Sequence, residues 1–277
     1  MPGMTGYEQA RPANPLWRRL LRQWRRWRGG VMAKTHTVQI VERDGQRFKR
    51  VGFESVEEAD RVAACLRELV ALDRFPRLLA ATGSTLEVAY VAGPLARRGR
   101  ASDHQAVADF FADLYCAQPL RAVSAADTAM AQTLASDLAI LAKAGLIDAR
   151  AAERLDGLAN QWQPELVWLG HEYIDPIARN FVIRDGRAMA IDIEALWRDQ
   201  PLGQGLAKAA LRWLEQPVDA VLREVGERAG IELAPQYPWV QLCFTAAYFR
   251  QKLAQKKSGH IRIEALTALG RNQDSEP

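Results

Sequence analysis

Cysteine is scarce in this sequence, and the three that occur (Cys65, Cys116 and Cys243) stand far apart, with no CxxC pair and an odd total. A disulfide framework is thereby excluded, and the thiols read as small core residues of a reducing compartment. Histidine is as thin: His36, His104, His171 and His260 are scattered, so no zinc site is expected. No window reaches the ~18 to 20 continuous apolar residues of a membrane-crossing helix. The N-terminus also lacks the uncharged apolar stretch and small-residue cleavage site of a secretory signal. A cytoplasmic protein is expected. Finally, no Pro/Gly/Ser-rich linker divides the 277 residues, which leaves one domain of two lobes as the expected organisation.

What is present is enough apolar material for a sizeable core, at 48% hydrophobic and 25% charged residues. The net charge of +4 is unevenly spread, because Arg18, Arg19, Arg22, Arg25, Arg26 and Arg28 lie within eleven positions and the remainder is close to neutral. No nucleic-acid-binding surface over the whole protein is expected from such a local excess. As a helix, residues 16–28 place Trp17, Leu20, Leu21 and Trp24 on one stripe with arginines on the other faces. Tryptophan suits the membrane interface and each arginine adds roughly 1 kcal/mol near an anionic leaflet, so attachment to an anionic membrane surface is expected. The competing uses are docking onto the protein's own lobe and contact with an acidic substrate or nucleic acid.

Along the chain, residues 35–41 are rich in β-formers, Asp44-Gly45 marks a hairpin turn, and residues 46–53 resume a strand. Ser55 with Glu57 and Glu58 caps a helix running to about Leu72, which Phe75-Pro76 stops. Short strands at Leu78 and over 86–91 follow, ending at Gly93-Pro94. Helical patterns then dominate over 104–116, 125–144, 149–162, 202–214, 218–229 and 238–256, interrupted by one strand-like stretch between Leu166 and Ile193. Strands first and helices after give an α+β fold.

Within that stretch, Asp175 and Asn180 lie five positions apart, then come a strand (Phe181 to Ile183), an Asp185-Gly186 turn, a second strand (Ala188 to Ile191), and Asp192 directly after it. Such a hairpin carries three oxygen-bearing side chains to one end.

These residues resemble the kinase-like superfamily, more closely its aminoglycoside and small-molecule phosphotransferases and bacterial lipopolysaccharide-core kinases than ordinary protein kinases. The resemblance is carried by Asp175…Asn180, the Asp185-Gly186 hairpin and Ala190-Ile191-Asp192-Ile193-Glu194, and it is supported by residues 107–115 and 86–94, which look like the helix after the interlobe hinge and the hinge strand. It implies a bilobal protein-kinase-like fold, with a small antiparallel-sheet lobe over 31–94 and a larger helical lobe over 95–270, between a basic arm (1–30) and a disordered tail (271–277).

The resemblance further implies an ATP- and Mg-dependent kinase. Asp192 and Asn180 would hold the metal, Asp175 would take the proton of the acceptor hydroxyl, and Lys49, Glu87 and Tyr90 would contact the nucleotide. The strand register leaves Arg50 as a competitor of Lys49. The acidic partner of the lysine is sought on the following helix, where Glu58, Asp60 and Glu68 are available. Gly29-Gly30 would either turn over the phosphates or end the basic helix. Two departures stand out: Tyr173 occupies the place usually held by His, with His171 two residues earlier, and Pro176 follows Asp175.

For the acceptor, the absence of a peptide-binding segment between Asp192 and Gly203, together with the Trp/Arg arm, points to a sugar of a membrane glycolipid such as lipopolysaccharide core. The alternatives are a membrane-associated pseudokinase acting as a regulator, and a soluble antibiotic-type phosphotransferase, whose C-terminal helices would carry an acidic pocket drawing on Glu215, Glu224 and Glu227.

Overall fold

A computed structural model of the chain describes residues 36–269. The basic arm with its helix at 16–28, the Gly29-Gly30 pair and the tail at 271–277 lie outside the described residues.

The first lobe is built as its local signals dictate. Strands β1 (Thr37–Arg43) and β2 (Gln46–Gly52) are joined at Asp44 and Gly45, whose φ values of 53° and 71° are the paired positive angles that a two-residue hairpin turn demands. Helix α1 (Val56–Glu68) begins at Ser55, whose hydroxyl accepts the Glu58 N–H at 3.2 Å. Strands β3 (Leu78–Thr82) and β4 (Thr85–Ala89) complete an antiparallel sheet of order β1-β2-β4-β3. In its register Lys49 pairs with Val88, and Arg50 with Glu87. Alternation therefore puts Lys49 on the face that buries Val51, Leu86 and Val88, and turns Arg50 to the other.

The second lobe runs α2 (Ala101–Cys116), β5 (Arg121–Ser124), α3 (Ala129–Lys143), α4 (Ala149–Trp162), β6 (Leu166–Tyr173), β7 (Phe181–Arg184), β8 (Arg187–Ala190), β9 (Leu196–Pro201), α5 (Gln204–Arg212), α6 (Val218–Ala229), α7 (Tyr237–Ala254) and α8 (Ile263–Leu269). The expected strand-like interruption is thus larger than the pattern suggested. Its β6 is the middle of an antiparallel sheet β5-β6-β9, and β7 and β8 form a separate hairpin. Strands β5 and β9 escape the sequence pattern because they are short or mixed edge strands (Arg-Ala-Val-Ser and Leu-Trp-Arg-Asp-Gln-Pro) with little alternation to read.

Two apolar cores result. One continues from the inner face of the first sheet through α1 and α2 to the β7–β8 hairpin, β6, α5 and α6. The other is formed by α3, α4, α7 and α8. Arg74 ties the first lobe to the second: its Nε donates to Asp113 of α2 at 2.8 Å and its NH1 to the Ala188 carbonyl of β8 at 3.2 Å. Burial pushes the Asp113 carboxyl up, but hydrogen bonds from Arg228 and Arg74 outweigh it and hold the group below the usual range. No helix among the described residues is long and apolar enough to cross a membrane.

Candidate active site

The segment between β6 and β7 is tied down at nearly every residue. The Ile174 N–H donates to the Ala195 carbonyl at 2.9 Å, Trp213 Nε1 to the Pro176 carbonyl at 2.6 Å, and the Asn180 N–H to Ile177 at 2.8 Å, closing the short 3₁₀ turn Ala178–Asn180. The Ile191 N–H then donates to the Asn180 carbonyl at 2.9 Å, which brings the residue before Asp192 alongside the start of the hairpin. At its far end the hairpin turns through Asp185 and Gly186, with φ of 51° and 75°.

This framework brings together Asp175, Asn180 and Asp192. The Asn180 amide nitrogen donates to the Asp175 carbonyl at 2.9 Å and lies 3.3 Å from Asp175 Oδ2 and 3.2 Å from Asp192 Oδ2, so one amide bridges two carboxylates. Tyr173 sits beneath them, fully buried, with its ring edge-on to Phe75, Phe110 and Phe181. It fills by packing the place where histidine was expected. Burial, and then the nearby Asp192 and Asp175 charges, keep its phenol protonated, well above the ordinary range. His171 points elsewhere, with Nε2 2.8 Å from Glu68.

Lys49 reaches the same place from the first sheet: its ammonium donates to the Ile191 carbonyl at 2.9 Å and lies 3.9 Å from Glu194. Arg50, on the opposite face, donates to Glu87 from Nε at 3.0 Å. The register thus separates the two residues that the sequence left in competition. It also turns the Glu87 side chain away from Lys49, which leaves only the Glu87 main chain for a nucleotide on the Lys49 side. Tyr90, two positions beyond Val88, follows on the Lys49 side, with the Arg47 guanidinium 4.5 Å from its ring centroid.

The carboxylate found beside Lys49 does not come from α1. Glu58 pairs with His36 at 3.0 Å and Glu68 with His171, while the middle of the helix presents Arg61, which donates to the Leu196 carbonyl at 2.5 Å and covers the Trp197 ring. Glu194, two residues after Asp192, lies there instead. The signal for it was the acidic end of the Ile-Asp-Ile-Glu run, read only as part of a motif.

A second residue that sequence reasoning missed is Lys208 on α5. Its ammonium lies 2.5 Å from Asp175 Oδ1 and 2.9 Å from the Ile174 carbonyl. Helix α5 can approach so closely because position 205 is glycine: a Cβ there would stand 2.3 Å from the Tyr173 carbonyl oxygen. Its first turn is also anchored by Glu172, fully buried, which accepts from the Tyr115 hydroxyl and the Gly205 N–H, each at 2.5 Å. Burial pushes that carboxyl up to about 7, against the pull of the Tyr115 hydroxyl and the helix amides.

The donor set fits a hard divalent cation, which takes oxygen ligands from carboxylate and amide groups. Among the described residues no group of three or more His, Cys, Asp or Glu side chains is suited to a metal. Asn180 and Asp192 supply two oxygen donors of the amide and carboxylate kind side by side. Asp175 itself borders two cavities. One, of about 660 Å³, is shared with Asp192 and Glu194; the other, of about 520 Å³, is lined by the linker at Leu95 and Ala96, the 175–179 turn, α5 and the end of α7. Glu215, Glu224 and Glu227 line neither.

No protein-family model and no curated protein matches the sequence. Solved structures do match. The chain is similar to choline kinase from Streptococcus pneumoniae, with TM-score 0.59 and 11% identity over 94% of this chain and 100% of that one. It is similar to an aminoglycoside phosphotransferase variant in ternary complex with AMP-PNP and hygromycin B, with TM-score 0.55 and 14% identity over 87% and 92%. A macrolide 2'-phosphotransferase from Brachybacterium faecium gives TM-score 0.53 and 13% identity over 92% and 97%. At such identities the likeness shows the fold: the chain has the bilobal α+β architecture of these solved structures.

Proposed function

We propose that the chain is an ATP- and magnesium-dependent phosphotransferase that acts on a hydroxyl group. The observation that carries this reading is the amide of Asn180 held between Asp175 and Asp192, with the Lys49 ammonium at the adjoining Ile191 carbonyl. Phosphoryl transfer makes small covalent demands on a protein and is accelerated by positioning and charge neutralisation. Asn180 and Asp192 would hold the magnesium, which would supply charge neutralisation for the phosphate oxygens. Lys49 takes the nucleotide phosphates and is itself oriented by the Ile191 carbonyl and Glu194. The main chain of Glu87 and the Tyr90 ring border the nucleotide.

Asp175 receives the acceptor. The hydroxyl oxygen forms the new O–P bond, its proton passes to the Asp175 carboxylate and on to solvent, and the bond from the γ-phosphorus to the bridging oxygen breaks, so that ADP leaves with the electron pair. Lys208 fixes the rotamer of Asp175 through its 2.5 Å ion pair.

The three similar proteins are named for choline, aminoglycoside and macrolide substrates, which supports a small, hydroxyl-bearing acceptor and suits a soluble enzyme as well as a membrane-facing one. For this chain the Trp/Arg stripe of residues 16–28 favours a sugar of a membrane glycolipid, reached from the cytoplasmic face. The replacement of the expected helix carboxylate by Arg61 is what a pseudokinase reading would cite, and Glu194 beside Lys49 answers it.

The test is ADP release from ATP and magnesium over a panel of membrane extracts and small molecules, comparing the wild type with Asp192→Ala. Turnover and magnesium-dependent nucleotide binding are expected in the wild type alone. Equal behaviour of the two proteins would overturn the assignment. Flotation with anionic vesicles, with and without residues 1–28, tests the membrane part, and equal recovery would refute it.

A further inference from the structure

The cavity of about 520 Å³ beside Asp175 is lined by six lysines and arginines and by His260, against one carboxylate, Asp175 itself. Lys208 and Arg212 come from α5, Lys252 from α7, and Lys257 from the chain just after it. Arg98 approaches from the linker before α2, and Arg179 from the 175–180 turn. Elsewhere among the described residues several partly buried arginines are matched by carboxylates: Arg74 by Asp113, Arg50 by Glu87, Arg250 by Asp137. Here Lys208, Arg212 and Lys252 are partly buried while Arg98, Arg179 and Lys257 are exposed at the rim, and only Lys208 forms an ion pair with a described residue.

The crowding is felt by the groups themselves. Burial, then the Lys208 and Lys257 charges, pull the Lys252 ammonium below its ordinary range, and burial with Arg212 and Lys252 does the same to His260. Cations gathered unmatched around a cavity cost free energy, because each raises the potential that the others must bear. An anionic ligand removes that cost. Neither Lys49, Asn180 nor Asp192 lines this cavity.

We propose that the acceptor is an anion: a molecule whose reacting hydroxyl sits close to a phosphate or carboxylate, with the hydroxyl at Asp175 and the anionic group among Arg212, Lys252, Lys257 and Arg98. This deepens the phosphotransferase reading and rests on it. A cationic acceptor, such as a polyamine-like sugar or a quaternary ammonium, meets the wrong sign of potential in this cavity. The arginines offer planar, bidentate donors to an oxyanion, and the lysines supply charge that adapts to either a phosphate or a carboxylate.

The test separates this inference from the reading beneath it. The full chain is loaded with magnesium and a non-hydrolysable ATP analogue, so that the nucleotide site is filled, and is titrated calorimetrically with glucose 6-phosphate, glucuronate, glucose and glucosamine. The two anions are expected to bind at least ~10-fold more tightly than glucose, with glucosamine weakest and the preference shrinking as salt rises. Arg212→Gln and Lys252→Gln are each expected to weaken the anions ~5- to 10-fold while leaving the analogue within ~2-fold. Arg98→Ser, at an exposed position, repeats the measurement where folding is not at stake, and thermal melts check all three variants.

Equal binding of glucose or glucosamine, or anion binding that survives all three substitutions, overturns the proposal. ADP release is then measured with glucose 6-phosphate in solution and with phosphatidylinositol vesicles, which present the same chemistry free and lipid-linked. Turnover with either supports the proposal and names the source. An anion preference in binding with no ADP release from any acceptor leaves the cavity assignment standing and removes the phosphotransferase reading. ADP release with neutral or cationic acceptors and no preference for anions does the reverse.

Discussion

Asp175 has two neighbourhoods of opposite character. Toward Asn180, Asp192 and Glu194 it belongs to an acidic cluster answered by Lys49; toward α5 and the end of α7 it is the one carboxylate among lysines and arginines. The first side is assembled from one short stretch of chain plus one strand, the second from four separated segments. A local hairpin sets the side to which we assign the phosphates, whereas the packing of distant helices sets the side to which we assign the acceptor.

The sharpest way to break this comparison is at the residue the two sides share. Asp175→Asn is expected to lower ADP release ~10²- to 10⁴-fold. Nucleotide affinity measured by calorimetry should stay within ~2-fold, because Lys49 contacts the 191–194 segment and not residue 175. If nucleotide affinity falls as steeply as turnover, the two neighbourhoods are not separable. Next in size is Lys49→Met, which removes a cation from the phosphate side only. It should raise KM for ATP by ~10-fold or more and leave KM for the acceptor unchanged, a split that steady-state kinetics reads directly.

Two smaller effects concern α5, the element that carries Lys208 between the sides. Gly205→Ala forces a Cβ against the Tyr173 carbonyl and should destabilise the fold by about 1–3 kcal/mol in denaturant titrations, with Lys208 losing its place at Asp175. Glu172→Gln keeps one acceptor oxygen and replaces the other by an NH2 that cannot accept, so either the Tyr115 hydroxyl or the Gly205 N–H loses its acceptor, at about 1–3 kcal/mol near neutral pH. The wild type adds a pH signature. Because the folded Glu172 carboxyl titrates near 7, above its ordinary 4.5, the folded state binds the extra proton between those values. Stability from this group is therefore full below about pH 4.5 and is lost as pH rises through about 7. Thermal melts across that window should show the decline in the wild type and a flatter profile in the Gln variant.

Much of the phosphate side was legible in the sequence because its geometry is local. Asp-Gly dipeptides at 44–45 and 185–186 demand the positive φ pairs that make hairpins, and the five-residue step from Asp175 to Asn180 followed by a hairpin leaves little freedom in where Asp192 lands. The choice between Lys49 and Arg50 depended on register, which a pattern of residues alone does not supply. Glu194 was overlooked because the acidic partner was sought on α1, where Arg61 stands. The cationic wall was not legible at all. Arg98, Arg179, Arg212, Lys252 and Lys257 lie in four separated segments of the sequence, and only the packing of α5 and α7 beside the 175–180 turn makes them neighbours.

The division of the interior into two apolar cores carries a consequence for the cavity beside Asp175. Lys252 and the residues after it ride on α7, which is seated in the core of α3, α4 and α8, while the hairpin that bears Asn180 and the strand that bears Lys49 are seated in the other. Repacking beneath α7 can therefore shift Lys252, and with it one wall of the cavity, while the segment that bears Asn180, the strand that bears Lys49 and helix α5 keep their alignment in the first core.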